Sequence, residues 1–343
     1  MTNIPNDARN HQLYLKQVPE GLAGPEDFEV KEAPVPEIGA GEVLVQSHYL
    51  SVDAALRLIM QDSDDFLFRV EPGDLVRGSV AGEVVESNNP NFSMGDQVTG
   101  SLGVQNYSVS DGEGLEKCDL AIAPLPSWLG GFGVSGLTAY FAMMDVCKPM
   151  AGKTVLVNGA AGAVGSIAGQ IARINGARVI GVTSSAEKCR WLTEDLGFDV
   201  AINYNDGDIY EAMLAAAPDR IDAVFDNVGG EILNQSLRLI GLRGVVLLCG
   251  ATSQYTEEEV TGPSNYIWLG TMRASMHGFV VYDYAEQFEE ARQQMSAWVN
   301  AGELIMRDNP VDGDVDDYPS VFKQLYQGGN RGKMLVRLPA ARG

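Results

Sequence analysis

Histidine and cysteine are scarce in this chain of 343 residues. There are three histidines, His11, His48 and His277, and four cysteines, Cys118, Cys147, Cys189 and Cys249, far apart and without a C-x-x-C pair. Zinc, catalytic or structural, therefore finds almost no ligands, and no disulfide framework is written into the spacing. We expect no metal site and a reducing, cytoplasmic setting. Basic residues are also few: 24 Lys and Arg face 46 Asp and Glu, for a net charge of −22. Such a surface repels phosphate backbones and anionic headgroups, which excludes nucleic acid and membrane surfaces as expected partners. The opening stretch MTNIPNDARNHQLYLK lacks the apolar core of a secretion signal. The longest charge-free run, Leu120 to Met144, is interrupted by Pro124, Pro126, Gly130, Gly131, Gly133 and Gly136. It reads as a crossover between domains, not as a bilayer helix. Repeats and low-complexity tracts are missing as well.

What is present is ordinary globular composition, 45% hydrophobic and 20% charged, on a chain long enough for two domains. From about Glu29 to Val109 short β-rich runs (EVLVQSHYL, GSVAGEVVES, DQVTGS, QNYSVS) alternate with Gly, Pro and Asp, the pattern of a small barrel or sandwich. After the crossover the pattern becomes strand, helix, strand. TVLVN is followed by Val164, Ile167, Ala168, Ile171 and Ile174 at helical spacing, with Gly176 placed to end that helix. RVIGVT, a helix from about Glu187 to Leu196, and the buried-strand candidates VAI, DAVFD, VVLLC and MHGFVV complete a parallel sheet covered by helices. Beyond Leu304 the chain returns to polar turns, DNPVDGDVDD, then a short helix and a last strand, KMLVRL, expected to rejoin the first domain.

The segment TVLVNGAAGAVGSIAGQIARINGARVIGVTSS is a strand, a Gly-rich turn, a helix and a second strand in thirty-odd residues, a dinucleotide fingerprint with Ala160 in the first glycine position. Gly162 lets the backbone approach a pyrophosphate, Gly165 lets the helix pack on the strand, and the helix N-terminus offers free amide donors. The plainer alternative is a glycine-eased turn without a ligand. An NAD site would carry an acid at the end of the second strand; here Thr183, Ser184 and Ser185 stand there, followed by Lys188. The missing carboxylate and the added cation favour a 2′-phosphate, so NADPH is the expected cofactor. Lys188 alone also reads as a solvated helix charge.

Together these motifs, with LSVDAALR, GVSGLTAY, SSAEKCR, AINYN, FDNVGGE, CGATSQY, HGFVV and GNRGKMLV, resemble the zinc-independent medium-chain dehydrogenase/reductases. The likeness is to their NADPH-dependent alkenal/one oxidoreductase group, which includes the prostaglandin and curcumin reductases, and it runs over nearly the full length. It implies an α/β architecture: a GroES-like β-barrel catalytic domain (1–132 and 305–343) beside a Rossmann doubly wound NADP-binding domain (133–304), with the active site in the cleft. It further implies that Gly162, Ala163, Val164 and Gly165 hold the pyrophosphate and that Lys188 and Tyr204 meet the 2′-phosphate. Asn227, Cys249, Gly250, Ala251, Thr252, Ser253 and Tyr255 would line the dinucleotide, Phe279, Val280 and Val281 would meet the nicotinamide amide, and Asn330 would close the site. Taken singly, Tyr204 is also a strand-end aromatic, Asn227 a turn residue and Cys249 a small buried wall residue.

The implied reaction is hydride transfer to the β-carbon of an α,β-unsaturated aldehyde or ketone, a small-molecule enone, with a proton to the α-carbon from Tyr255 or water. Quinone reduction, alcohol oxidation and a non-catalytic, crystallin-like NADPH binder are the alternatives. Relatives commonly pair as homodimers along an edge strand of the Rossmann sheet. The chain departs from the family's pattern at Ala55, where D-P-Y-M-R has its tyrosine, and at Val104, where G-W-Q has its tryptophan. Both are expected to widen the substrate pocket.

Overall fold

The computed structural model describes residues 4–5, 7–61, 69–257 and 259–339. The chain divides into two compact units, one of Met1–Leu129 with Asp308–Gly343 and the other of Gly130–Arg307. In chain order the first unit holds β1 (Arg9–Leu15), β2 (Phe28–Pro34), β3 (Val43–Ser51), a single turn α1 (Leu56–Ile59), β4 (Ser79–Ser87), β5 (Gln97–Ser101), β6 (Tyr107–Ser110) and β7 (Glu116–Lys117). The second begins with α2 (Val134–Phe141), β8 (Thr154–Asn158), α3 (Ala163–Ile174), β9 (Arg178–Thr183), α4 (Ala186–Arg190) and β10 (Val200–Asn203). It continues through α5 (Ile209–Ala216), β11 (Ile221–Asp226), α6 (Gly230–Arg238), β12 (Ile240–Leu248), α7 (Ile267–Met272), β13 (Ser275–Gly278) and α8 (Phe288–Asn300). The chain then returns to the first unit with β14 (Asp308–Asp312), α9 (Tyr318–Tyr326) and β15 (Lys333–Arg337).

In the first unit a seven-stranded sheet runs β14-β15-β3-β4-β5-β7, with β6 also on β3, beside the two-stranded β1-β2 hairpin. β3 explains the branching. β4 covers one of its edges throughout, while on the other edge β6 pairs with Val43–Gln46 and β15 with Tyr49–Ser51. Among the described residues this path is a branched sheet and is not closed on itself, with isolated bridges from β1 (Gln12 to Gln105, Tyr14 to Leu75). The run expected as polar turns contains β14, paired in parallel with β15. Pro310 within it is tolerated because β14 is the edge of the sheet. The core of this unit gathers Leu13, Leu50, Met60, Val80, Phe322 and Val336.

In the second unit six parallel strands run β10-β9-β8-β11-β12-β13. Their apolar runs are nearly continuous because both faces are covered. Leu156, Ile180, Val182 and Val224 face the helices α5 and α6 through Met213 and Leu237. Gly181, one step from Ile180, points to the opposite face, where Phe198 lies against both it and Gly169 of α3. Helices therefore flank both sides. α3 buries Ile167, Ala168, Ile171 and Ala172 along one stripe, each isoleucine contributing roughly 1.5–3 kcal/mol. It ends where Gly176 turns left-handed (φ +85°), its N–H donating to the Arg173 carbonyl at 2.8 Å and that of Ala177 to the Ala172 carbonyl at 3.1 Å. MHGFVV is a strand only to Gly278; Phe279–Val281 lie beyond its carboxyl end.

Candidate active site

The order β10-β9-β8-β11-β12-β13 reverses direction between β8 and β11. In open parallel sheets the loops leaving the carboxyl ends at such a point diverge and leave a crevice. Here those loops are Gly159–Gly165 after β8 and Asn227–Gly229 after β11, with Cys249–Tyr255 after β12 beside them.

The first loop is shaped by three glycines with different duties. Gly159 is left-handed (φ +66°) and turns the chain out of β8, and the Ala160 N–H donates to the Val182 carbonyl at 2.9 Å. A Cβ at Gly165 would stand 2.4 Å from the Gly159 carbonyl oxygen and 3.0 Å from the Ala160 Cα, so only glycine lets α3 lie this close to the turn. A Cβ at Gly162 would meet nothing nearer than the Gly159 oxygen at 3.4 Å. Gly162 is the N-cap of α3 and brings no side chain to cap it, so the amides of Ala163, Val164 and Gly165 precede the first intrahelical donor, Ser166. These donors and the positive end of the helix dipole suit an anion.

At the end of β9, Ser185 caps α4, its hydroxyl accepting from the Lys188 N–H at 3.2 Å, which carries Lys188 onto the first turn beside Ser184. β10 pairs with β9 so that Asn203 lies opposite Thr183, and the Tyr204 N–H donates to the Thr183 carbonyl at 3.0 Å. Tyr204 is 40% exposed. Asn205 closes the corner by donating from its side chain to the Ser184 carbonyl at 2.8 Å. Ser184, Ser185, Lys188 and Tyr204 thus share one edge, and no carboxylate stands at the end of β9.

The loops after β8, β11 and β12 are laced together. The Asn227 side chain donates to the Asn158 carbonyl at 2.9 Å. Thr252 N–H donates to the Asn227 carbonyl at 3.1 Å, and both the N–H and the hydroxyl of Ser253 donate to the Val228 carbonyl. Cys249 is a thiol and not a nucleophile, since burial and then the charge of Asp226 push its pKa up to about 12. Tyr255 is buried, and its hydroxyl oxygen accepts the Ala251 N–H at 3.0 Å. Burial pushes its pKa up against that hydrogen bond, and Cys249 and Asp226 push the same way. Phe279 stacks on Tyr284 at 5.6 Å, Val280 is exposed and Val281 buried.

Sequence reasoning missed Asn158 and Asp226, which lie fully buried beneath this crevice. The Asn158 amide donates to the Asp226 carboxylate at 2.7 Å, and the Gly229 N–H donates to its other oxygen at 2.8 Å. Only the acid closing the apolar run DAVFD signalled it.

The remaining expected residues belong to the first unit. Asn330 is buried and donates to the Gly332 carbonyl at 2.8 Å. Three residues on, the buried Lys333 pairs with Asp53, which also accepts from the Ser51 hydroxyl. Partial burial raises the Asp53 pKa, but the Lys333 charge and these hydrogen bonds outweigh it and hold the carboxyl below its ordinary value. Arg57, also buried, donates to the carbonyls of Gly21 and Pro19, both at 2.8 Å, and so ties down a turn. Ala55 is exposed. Val104 is not: it is fully enclosed in the core, and a Cβ on Gly78 would come within 2.8 Å of it. The expectation that Val104 widens a pocket is corrected, because its neighbours have closed over the smaller side chain.

Residues 11–118 match the sequence family described as the N-terminal domain of oxidoreductase, and residues 163–297 match the one described as zinc-binding dehydrogenase. A putative NADP-dependent oxidoreductase of Bacillus subtilis is 40% identical over 96% of this chain and 98% of its own length. A 2-alkenal reductase (NADP(+)-dependent) of Nicotiana tabacum is 34% identical over 97% of this chain and 98% of its own. The crystal structure of CurA from Vibrio vulnificus in complex with NADPH matches at a TM-score of 0.91 and 32% identity, covering 96% of this chain and 99% of that one. Among the described residues nothing fits the zinc in the second family's description. Among the described residues no group of three or more His, Cys, Asp and Glu could hold a metal ion, and His277 is exposed on β13, in contact with the Ser275 hydroxyl.

Proposed function

The chain belongs to the NADP-dependent medium-chain dehydrogenase/reductase family, and on that premise we propose that it is an NADPH-dependent reductase of the carbon–carbon double bond of α,β-unsaturated aldehydes and ketones. The observation that carries this reading is the crevice at the strand reversal: uncapped amides at Ala163–Gly165 on one side and an acid-free β9 end bearing Ser184, Ser185, Lys188 and Tyr204 on the other. When bound, NADPH supplies a hydride from C4 of its nicotinamide to the β-carbon of the substrate.

The chain's own part is binding, orientation and proton supply. The amides of Ala163, Val164 and Gly165 hold the pyrophosphate at the dipole end of α3. Ser184, Ser185, Lys188 and Tyr204 take the 2′-phosphate, with the Lys188 ammonium as the charged partner. Asn227 and the Cys249–Ser253 loop line the dinucleotide, and Phe279–Val281 receive the nicotinamide amide. Hydrogen-bond donors at the substrate carbonyl stabilise the enolate that forms as the β-carbon is reduced. The α-carbon then takes a proton from water or Tyr255. Burial of Tyr255, with its oxygen engaged by Ala251, favours water.

We further propose a homodimer built on β13, the edge strand of the six-stranded sheet, flanked by the exposed Tyr266, Ile267, Val280 and Tyr282. A cytoplasmic location is supported by Cys118, Cys147, Cys189 and Cys249, none of which forms a disulfide. Among the described residues no helix is long and apolar enough to cross a membrane.

The test of the activity is to mix the protein with NADPH and follow loss of the reduced-nicotinamide absorbance with alkenals, alkenones, quinones and saturated aldehydes. Turnover of the conjugated carbonyls to saturated ones supports the reading. Turnover of quinones or saturated aldehydes alone overturns it.

A further inference from the structure

A dinucleotide lying across three loops needs those loops held in mutual register, and one residue, through its side chain and its main-chain carbonyl, touches all of them. β8, β11 and β12 are hydrogen-bonded side by side with β11 in the middle. The last residue of β11 is Asp226, with no exposed surface. One of its carboxylate oxygens accepts from the side chain of Asn158, the last residue of β8 and the one before the glycine turn, at 2.7 Å. The other accepts from the N–H of Gly229, in its own loop, at 2.8 Å. Its main-chain carbonyl accepts from the N–H groups of Cys249 and Gly250, which open the loop after β12, at 2.9 and 3.1 Å. Asn227 returns the connection to β8 through the Asn158 carbonyl at 2.9 Å.

An apolar residue at the end of a buried parallel strand would cost far less than an acid. The cost is visible: burial pushes the Asp226 pKa up to about 6 in spite of the hydrogen bonds from Asn158, Gly229 and Val228. A carboxyl is the one short side chain whose two acceptors reach β8 and the Gly229 turn at once.

We infer that Asp226 is a positioning residue for the cofactor, the hub that fixes the loops after β8, β11 and β12 relative to one another. The inference rests on the NADPH site proposed above. It assigns Asp226 a mechanical role through its acceptors, not its charge, and no contact with the reacting atoms.

That distinction sets the experiment. Asp226→Ala leaves the Asn158 amide with only the Ser236 hydroxyl, at 3.2 Å, as acceptor and strands the Gly229 N–H. Asp226→Asn keeps both bonds: the new amide oxygen takes the Gly229 N–H, and its NH2 donates to Asn158 once that side chain turns over. The Asn158 oxygen has no hydrogen-bond partner to lose in that turn, and its NH2 gives up only the 3.2 Å bond to the Ser236 hydroxyl. The NADPH dissociation constant, read from nucleotide fluorescence without substrate, should rise at least tenfold in Asp226→Ala and stay within about threefold of the parent in Asp226→Asn. At saturating NADPH, kcat should change far less than the dissociation constant in both.

Should Asp226→Ala not fold, Asn158→Ala, which cuts the side-chain bond between β8 and Asp226 at a residue given no contact with the cofactor, should still weaken NADPH severalfold. Parent-like binding in Asp226→Ala, or in Asn158→Ala where that variant stands in, overturns the inference. So does an Asp226→Asn variant that binds as poorly as Asp226→Ala, since charge would then be the requirement. A parent protein that fails to bind NADPH removes the proposed function itself and the inference with it.

Discussion

Replacing Gly162 and Gly165 separately with alanine should split folding from cofactor binding. The two glycines are three residues apart at the start of α3, and their surroundings differ. At Gly165 the new Cβ would meet main-chain atoms, the Gly159 oxygen at 2.4 Å and the Ala160 Cα at 3.0 Å, and neither is the movable end of a side chain. The helix must move away from the turn, an overpacking cost of roughly 1–3 kcal/mol. At Gly162 the nearest atom is 3.4 Å away and the backbone, at φ −81° and ψ 179°, is open to any residue. There alanine stabilises by about 0.4–1 kcal/mol through the unfolded chain, and the poorer N-cap costs up to about 1 kcal/mol. The two nearly cancel, so the cofactor-free Gly162→Ala protein should unfold within about 1 kcal/mol of the parent. Its new methyl nevertheless stands on the surface that the pyrophosphate must approach, and NADPH binding should fall at least tenfold. Urea unfolding of the cofactor-free proteins and NADPH titrations measure both quantities. Equal destabilisation by the two substitutions, or unimpaired NADPH binding by Gly162→Ala, would refute the reasoning.

Lys188→Ala should weaken NADPH far more than NADH, because a hydrogen bond to a charged group contributes roughly 1.5–3 kcal/mol; equal losses in parallel titrations would count against a 2′-phosphate at the β9 end. Asp53→Asn should cost more stability than Lys333→Met. The first leaves a charge on a lysine whose side chain is 4% exposed, the second leaves one on an aspartate that is 47% exposed. Stranding the buried charge costs roughly 3–5 kcal/mol, towards the lower end here because Asp308 also faces Lys333; the order in denaturant unfolding checks it. Asp226→Asn should gain stability relative to the parent as pH rises from 4 to 8. The raised Asp226 pKa means that the parent's protonated carboxyl is stable at low pH and that this contribution is lost as pH passes about 6. The shift from 3.8 to about 6 corresponds to about 3 kcal/mol, and Cys249 and Tyr255 beside it keep their protons across this range because their pKa values are raised. A flat difference between the two unfolding free energies over that range would contradict it.

The second unit is the more legible half in the sequence, and the reason is its packing. Strands covered on both faces must be apolar at nearly every position, so TVLVN and RVIGVT coincide with β8 and β9. Gly176 ends α3 as its position suggests. The edges were harder. β14 carries Pro310 and three other polar-turn residues, Asp308, Asn309 and Asp312, because a strand at the rim is bound by its ladder to β15 and not by a buried face. The way three strands share β3 depends on where β6 and β15 meet along one edge, a tertiary matter that no local pattern records. In the candidate site, the glycine turn and the acid-free β9 end could be read because their chemistry is local. Asp226 and Asn158 could not, since an acid after DAVF looks like the start of a surface turn until its partners on the neighbouring strands are known. Val104 erred the other way: a smaller residue suggested an opening where the core had closed around it.

The most direct test of the proposed activity is to follow a deuterium label. With NADPH carrying deuterium at both C4 positions and an alkenone as substrate, nuclear magnetic resonance of the product should place a single deuterium on the former β-carbon of a saturated ketone. A label on the carbonyl carbon of an alcohol, or no product with NADPH present in excess, would contradict the account.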